Sequence, residues 1–260
     1  MHDSWRRHGA HITEAPRADC GQCPHRDSLL KAGRCEPGDI CLLAESGRQI
    51  DRFLRRNPEF AQACLGDPFW ERRAIAVRYA PSEAVAVLAK DRDEVVRRAV
   101  ALRLSDDALM GMARDPDREV RITVASRLSP ERLESLIGDA DYMVRQRVAE
   151  RLPHGKLTRL AQDPEREVRK EVARRLPAFA LGRMAADEDA EVRAIAASRM
   201  LPEDAARLLA DPEWRVRLEA VAKAPIEAVA ALVDDADRDV RDRARERLGD
   251  RQTDFPQTKE

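Results

Sequence analysis

The 24 residues DPEREVRKEVARRLPAFALGRMAA, from Asp163 to Ala186, decide the fold, because the chain repeats their pattern on both sides of them. The pair Val168-Arg169 returns at Val96-Arg97, Val120-Arg121, Val144-Arg145, Val192-Arg193, Val216-Arg217 and Val240-Arg241, always in steps of 24 residues. One period before Val96, Arg72-Arg73 holds the place with its valine lost. Aspartate keeps the same register at Asp67, Asp91, Asp115, Asp139, Asp163, Asp187, Asp211 and Asp235. Eight units without an insertion read as an array in which each repeat is one structural module.

With the aspartate as position 1, each unit has a physical reading. Aspartate at 1 is expected to cap a helix, and proline at 2 (Pro68, Pro116, Pro164, Pro212) to occupy its first turn, where a missing N–H costs nothing. Apolar residues at 6, 10 and 14, such as Val120, Val124 and Leu128, form one buried stripe. Position 11 is alanine or valine in all but the last unit, which lets helices approach closely. Proline or serine at 15 closes a helix of about 12 residues. The nine residues left carry apolar side chains at 19 and 22, such as Leu181 and Met184. Spacing by three suits a short 3₁₀ piece, although one α-turn reads the same. No unit buries its stripe alone, so neighbours stack. The expected fold is an all-α, right-handed α-solenoid, each 24-residue repeat an α-helix plus a short 3₁₀-helix, preceded by a small four-cysteine metal domain.

The expected divisions are a metal domain over 1–45, a degenerate capping repeat over 46–66, eight repeats over 67–250 and a tail over 251–260. The degenerate unit runs through Phe53, Leu54, Phe60 and Leu65. In the last unit position 11 is Arg245 rather than alanine or valine and position 9 is Arg243, as an end without a following repeat allows.

Composition narrows the function. Charged residues make up 37% and aromatics 4%, and 47 basic residues stand against 48 acidic ones. A chain that coats nucleic acid or an anionic surface is usually more basic. No apolar run reaches the ~18 residues that cross a bilayer. Trp5-Arg6-Arg7 is followed by no apolar run, so no export signal is expected. The expectation is a cytoplasmic chain without a membrane partner.

Chemistry concentrates near the N-terminus. Cys20, Cys23, Cys35 and Cys41 lie among turn residues Gly21, Pro24, Gly33, Pro37 and Gly38. So short a segment with so few apolar residues needs a metal to fold, and a cytoplasmic chain keeps its thiols reduced rather than paired. The fifth thiol, Cys64, stands at repeat position 22, an inward site where cysteine acts as a small hydrophobe. The ligand set is therefore Cys20, Cys23, Cys35 and Cys41. Spacing leaves two occupants open. A zinc ion prefers two tight Cys pairs, whereas the second pair here is five residues apart, and His2, His8, His11 and His25 compete for zinc. Looser spacing suits an iron–sulfur cluster.

Both halves resemble the leucine-rich repeat variant family: the unit beginning at Asp163, and the segment CGQCPHRDSLLKAGRCEPGDIC beginning at Cys20. The resemblance implies alternating α- and 3₁₀-helices in a right-handed superhelix, and a [4Fe–4S] cluster in the cysteine segment. Arg72 for the repeat valine and Leu201 for proline or serine at position 15 are the departures. Four protein thiolates leave no iron open to substrate, so the cluster is expected to sense, to transfer electrons or to staple its domain.

Arginine fills position 7 in all eight units, and position 13 is basic from Arg103 to Arg247. One reading is a structural ladder in which position 7 pairs with the aspartates of its own or the next unit. The other is a basic track for a phosphate backbone. From Asp67 to Asp250 there are 35 basic and 37 acidic side chains, and no interleaved aromatics, which favours the ladder. No Gly-rich phosphate loop, zinc-protease histidine pair or serine triad is present. The expected function is a non-enzymatic scaffold docking a protein partner on its solenoid face with a redox- or oxygen-responsive cluster. The alternatives are an electron carrier or a nucleic-acid-binding solenoid. No small-molecule substrate is expected.

Overall fold

The structure, a computed structural model, describes residues 18–253. Two compact units divide between Arg127 and Leu128. The first contains α1 (Gly47–Arg56), α2 (Trp70–Tyr79), α3 (Glu94–Ala101) and α4 (Arg118–Arg127). In the second are α5 (Tyr142–Ala149), α6 (Arg166–Arg175), α7 (Ala190–Ala197), α8 (Trp214–Lys223) and α9 (Arg238–Thr253). Within each unit every helix packs on the next, at a constant 24-residue interval from α2 onward in the first unit and throughout the second. Among the described residues there is no strand, only an isolated bridge between Glu36 and Ile40.

Burial follows the stripe. Every position-6 valine from Val96 to Val240 is fully buried, and so are Val100, Val124, Val148 and Val172 at position 10. Alanines 101, 125, 149, 173 and 197, at position 11, are buried too. The second half of the repeat is both of the pieces that spacing allowed. An α-turn runs into a 3₁₀ turn at Ser82–Val85 with Ala86–Lys90, at His154–Leu157 with Thr158–Leu160, and at Pro202–Ala205 with Ala206–Ala210. Pro130–Leu136 and Ala178–Met184 are 3₁₀ alone, and seat Leu133, Leu136, Leu181 and Met184 in the core.

The helix starts are corrected. They lie at position 4, so the cap is the acid at 3 and not the aspartate at 1. Asp93, Asp141 and Asp189 accept from N–H groups of their own first turns, and the proline at 2 lies outside the helix. The helices of the interior repeats are accordingly 8 or 10 residues long rather than 12. Aspartate at 1 instead accepts from the backbone N–H two residues on, as Asp187 does from Asp189 at 2.9 Å. A glutamate at position 3 is a methylene too long for the cap, and Glu165 and Glu213 make no capping bond. Asp189→Ala is therefore expected to lower stability by about 1 kcal/mol in urea titration, while Glu165→Ala leaves the midpoint nearly unmoved.

The position-7 arginines form the ladder, and it points forward. Arg73 reaches Asp91, Arg97 reaches Asp115, Arg145 reaches Asp163, Arg169 reaches Asp187, Arg193 reaches Asp211 and Arg217 reaches Asp235. Each pair is bidentate. Arg169 Nε and Nη2 donate to the two Asp187 oxygens at 2.9 and 3.1 Å, and its Nη1 donates to the Asp163 carbonyl at 2.8 Å. Position 13 points backward. Arg127 donates to the carbonyls of Ala101 and Leu104 at 2.6 and 3.0 Å, and Arg199 to those of Ala173 and Leu176 at 2.6 and 3.0 Å. These carbonyls end the preceding helix, where partners are otherwise lacking.

The ladder also explains Arg72. Asp67 opens the array and has no arginine one unit earlier, and Arg72 pairs with it at 2.7 Å in place of the buried valine. At the other end α9 continues through Thr253, so the first three residues of the expected tail are helical; 254–260 lie outside the described residues.

Candidate metal centre

The cysteine segment is held by turns rather than by a core. Its buried apolar residues are Leu29, Ile40, Cys41, Leu42 and Ala44. Arg26–Leu30 is a single π-turn, and Gly33 and Gly38, at φ 66° and 84°, supply the left-handed backbone on either side of Cys35. The Glu36–Ile40 bridge pins the loop between them, with both N–H···O distances at 2.8 Å.

The segment docks on α1. The His25 ring meets Phe60 edge-on at 5.2 Å and Phe53 at 6.5 Å. Asn57 Nδ2 donates to the Arg34 carbonyl at 3.0 Å, and Cys41 N donates to the Gln49 carbonyl at 3.4 Å. Ion pairs Arg34–Glu59 and Arg52–Asp39 tie the rim.

The five cysteines fall into two environments. Burial, and then the charges of Cys23, Cys41 and Cys20, push the Cys35 thiol above its ordinary value. Burial also raises Cys41; the N–H groups of Leu43 and Ala44 pull the other way, and Cys20 and Cys23 raise it further. Cys35 and Cys41 thus both lie within the electrostatic field of Cys20 and Cys23. Cys64 is 5% exposed; its thiol is raised by burial, then by Asp67, with no other cysteine acting on it. Its burial agrees with repeat position 22.

Cys35 and Cys41, whose ionisation their neighbouring thiols make harder, belong to a four-cysteine donor set within a 22-residue segment that a bound cation stabilises as thiolates, so the residues present fit a thiolate-held metal centre. Among the described residues no three His, Cys, Asp or Glu side chains converge at the spacing of ligands around one ion. His25 is packed against the two phenylalanines; His2, His8 and His11 lie outside the described residues.

One feature was missed by the periodic reading. Structurally, Ser46 is the cap of α1 and Asn57 closes its stripe, since Asn57 N donates to the Phe53 carbonyl as Ala80 N does to Ala76. Gln49, Phe53 and Asn57 therefore take positions 6, 10 and 14 of the degenerate unit, where other repeats carry aliphatic residues. The signal was there in sequence: Asn57 stands seven residues before Cys64, whereas position 14 stands eight before position 22 elsewhere.

Residues 16–63 match the family model described as "LRV protein FeS4 cluster". Residues 118–141 and 166–189 match that of the leucine rich repeat variant. A Rhodobacter capsulatus protein, described as "Uncharacterized 27.7 kDa protein in nifB 3'region", is 40% identical over 86 residues, which are 33% of this chain and 35% of that relative. This chain thus matches about a third of the length of that curated relative. A solved structure described as a leucine-rich repeat variant with a novel repetitive protein structural motif is 55% identical, covers 90% of this chain and 100% of its own, and superposes with a TM-score of 0.85. No helix among the described residues is long and apolar enough to cross a membrane. With its right-handed α-solenoid of 24-residue repeats behind an iron–sulfur-type cysteine segment, the chain belongs to the leucine-rich repeat variant family.

Proposed function

We propose that this protein is a helical-repeat scaffold, without catalytic machinery of its own, that docks a protein partner and carries a [4Fe–4S] cluster on Cys20, Cys23, Cys35 and Cys41. The observation that carries the cluster reading is the partition of the cysteines, four in the turn-rich segment bent at Gly33 and Gly38 and Cys64 apart in the repeat core. When bound, the cluster supplies one-electron and oxygen-sensitive chemistry. The chain's part is to present four thiolates, to exclude water through Leu29, Ile40 and Leu42, and to direct the Leu43 and Ala44 N–H groups at the Cys41 sulfur. Such a centre belongs in a compartment that keeps thiols reduced, such as the cytoplasm.

Docking is supported by a groove of about 360 Å³ between α2 and α3, lined by Trp70, Val95, Ala99 and Leu102 with Arg78 and Arg98 at its rim. Trp70 is 39% and Leu102 58% exposed. An apolar floor with charged edges, Glu71 among the arginines, fits an amphipathic segment of a partner protein. The nucleic-acid reading loses support, because the repeat arginines at positions 7 and 13 are spent on carboxylates and carbonyls inside the array.

Anaerobic purification with iron, sulfide and zinc analysis tests the centre. About four irons and four sulfides per chain are expected for a [4Fe–4S] cluster, and one zinc without sulfide overturns it. Cys64→Ala is expected to keep full iron and sulfide content; loss of the brown chromophore in that variant alone refutes the ligand assignment.

A further inference from the structure

Where α1 faces the cysteine segment, its stripe is polar. Gln49 and Asn57 are fully buried, yet Gln49 Nε2, Gln49 Oε1 and Asn57 Oδ1 have no hydrogen-bond partner. Among the described residues only Arg147 Nε shares that condition, so the orphaned atoms concentrate on this one helix face. A buried primary amide without partners costs on the order of 1–3 kcal/mol per group in proteins, and a repeat that wanted only packing would carry valine there, as seven others do.

The direction of the face is set by its neighbours. Gln49, Phe53 and Asn57 are spaced i, i+4, i+8 and share a side of the helix. Phe53 stacks toward His25, two residues from Cys23, and Asn57 donates to the carbonyl of Arg34, next to Cys35. The Gln49 backbone carbonyl accepts from Cys41 N. The third member of the stripe therefore projects toward the ground enclosed by Cys23, Cys35 and Cys41.

We propose that Gln49 is a positioning residue for the metal centre, its Nε2 donating a hydrogen bond to a cluster sulfur or to a ligating thiolate. This rests on the cluster reading above. Such a donor favours the more negatively charged, reduced state, and hydrogen bonds to the sulfurs are among the determinants of an iron–sulfur potential. A residue that merely packed would not move that potential.

The test uses the full chain, purified anaerobically, with iron and sulfide content measured first. The midpoint is then followed by electron paramagnetic resonance during titration with dithionite. Gln49→Leu is expected to retain the iron and sulfide of the parent and to shift the midpoint to a more negative value. Pulsed electron paramagnetic resonance of the reduced parent is expected to show an exchangeable proton coupled to the cluster, which the variant lacks. Gln49→Met, closer in shape, serves if the leucine chain does not fold, and the proton measurement on the parent stands without any variant. Full iron and sulfide with an unmoved midpoint and an unchanged proton signal overturns the assignment of Gln49 alone. A parent chain without iron and sulfide overturns the cluster reading, and this inference with it.

Discussion

Arg73→Met is expected to destabilise the first unit by about 3–5 kcal/mol, the usual consequence of removing one partner from a buried ion pair. Arg73 is 4% exposed, and it bonds both Asp91 oxygens at 2.7 and 2.8 Å and the Asp67 carbonyl at 2.8 Å. The methionine fills much of the space but leaves the Asp91 carboxylate without its guanidinium. Adding Asp91→Leu removes the stranded charge, and much of the lost stability is expected to return. Urea titrations of the two variants check the contrast; a single variant as stable as the parent would show that the ladder is ornamental.

The same pairs set a pH dependence. For Asp91 and Asp211 burial acts to raise the carboxyl value, but the Arg73 and Arg193 guanidiniums, with backbone N–H groups, outweigh it and hold both below the ordinary range. Asp235 is held down first by Arg217. A carboxyl depressed on folding adds stability that is present above the unfolded value, near pH 4, and is lost as pH falls through the lower folded value. Acid unfolding is thus expected to steepen below about pH 4, and the ladder adds no change between pH 6 and 8.

The second large effect is expected from Cys41→Ser. Cys41 is the most buried of the four grouped thiols, and Ile40 and Leu42 flank it in the small core of the segment. The variant is expected to lose its iron, and residues 18–45 are expected to lose protection in hydrogen exchange. Helices α6 to α8 keep theirs, because nearest-neighbour packing sustains a repeat array piece by piece. Segments under ~40 residues with so little core seldom fold without a metal or a disulfide. Full protection of residues 18–45 in iron-free protein would mean that hydrophobic packing and the Arg34–Glu59 and Arg52–Asp39 pairs hold the segment unaided.

Much of this was legible from residue spacing. The 24-residue period placed the valine stripe and the arginine rows, since both depend only on register along identical modules. The helix start was misread because an aspartate followed by proline imitates a cap and first turn. Another acid two residues on does the capping, and only the geometry of Asp93, Asp141 and Asp189 tells the two apart. In the degenerate unit one residue is missing between Asn57 and Cys64, so extrapolating the period slid Gln49 out of the buried stripe. The four cysteines stood out by type and spacing, but their common field depends on turns at Gly33 and Gly38 that bring distant segments together.

The forward pairing has a bearing on how such an array can change length. Any position-7 arginine matches any position-1 aspartate, because the two groups recur in identical frames. Excision of Asp187 through Ala210 brings Arg169 against Asp211 and strands no charge; gain of a like segment does the same. A loss of 23 or 25 residues inside the array would put the arginine and aspartate rows out of register, a constraint that the one-residue-short unit before Asp67, which has no such arginine, escapes. Exchange between these equal-length repeats therefore has a built-in filter, through which only whole modules pass.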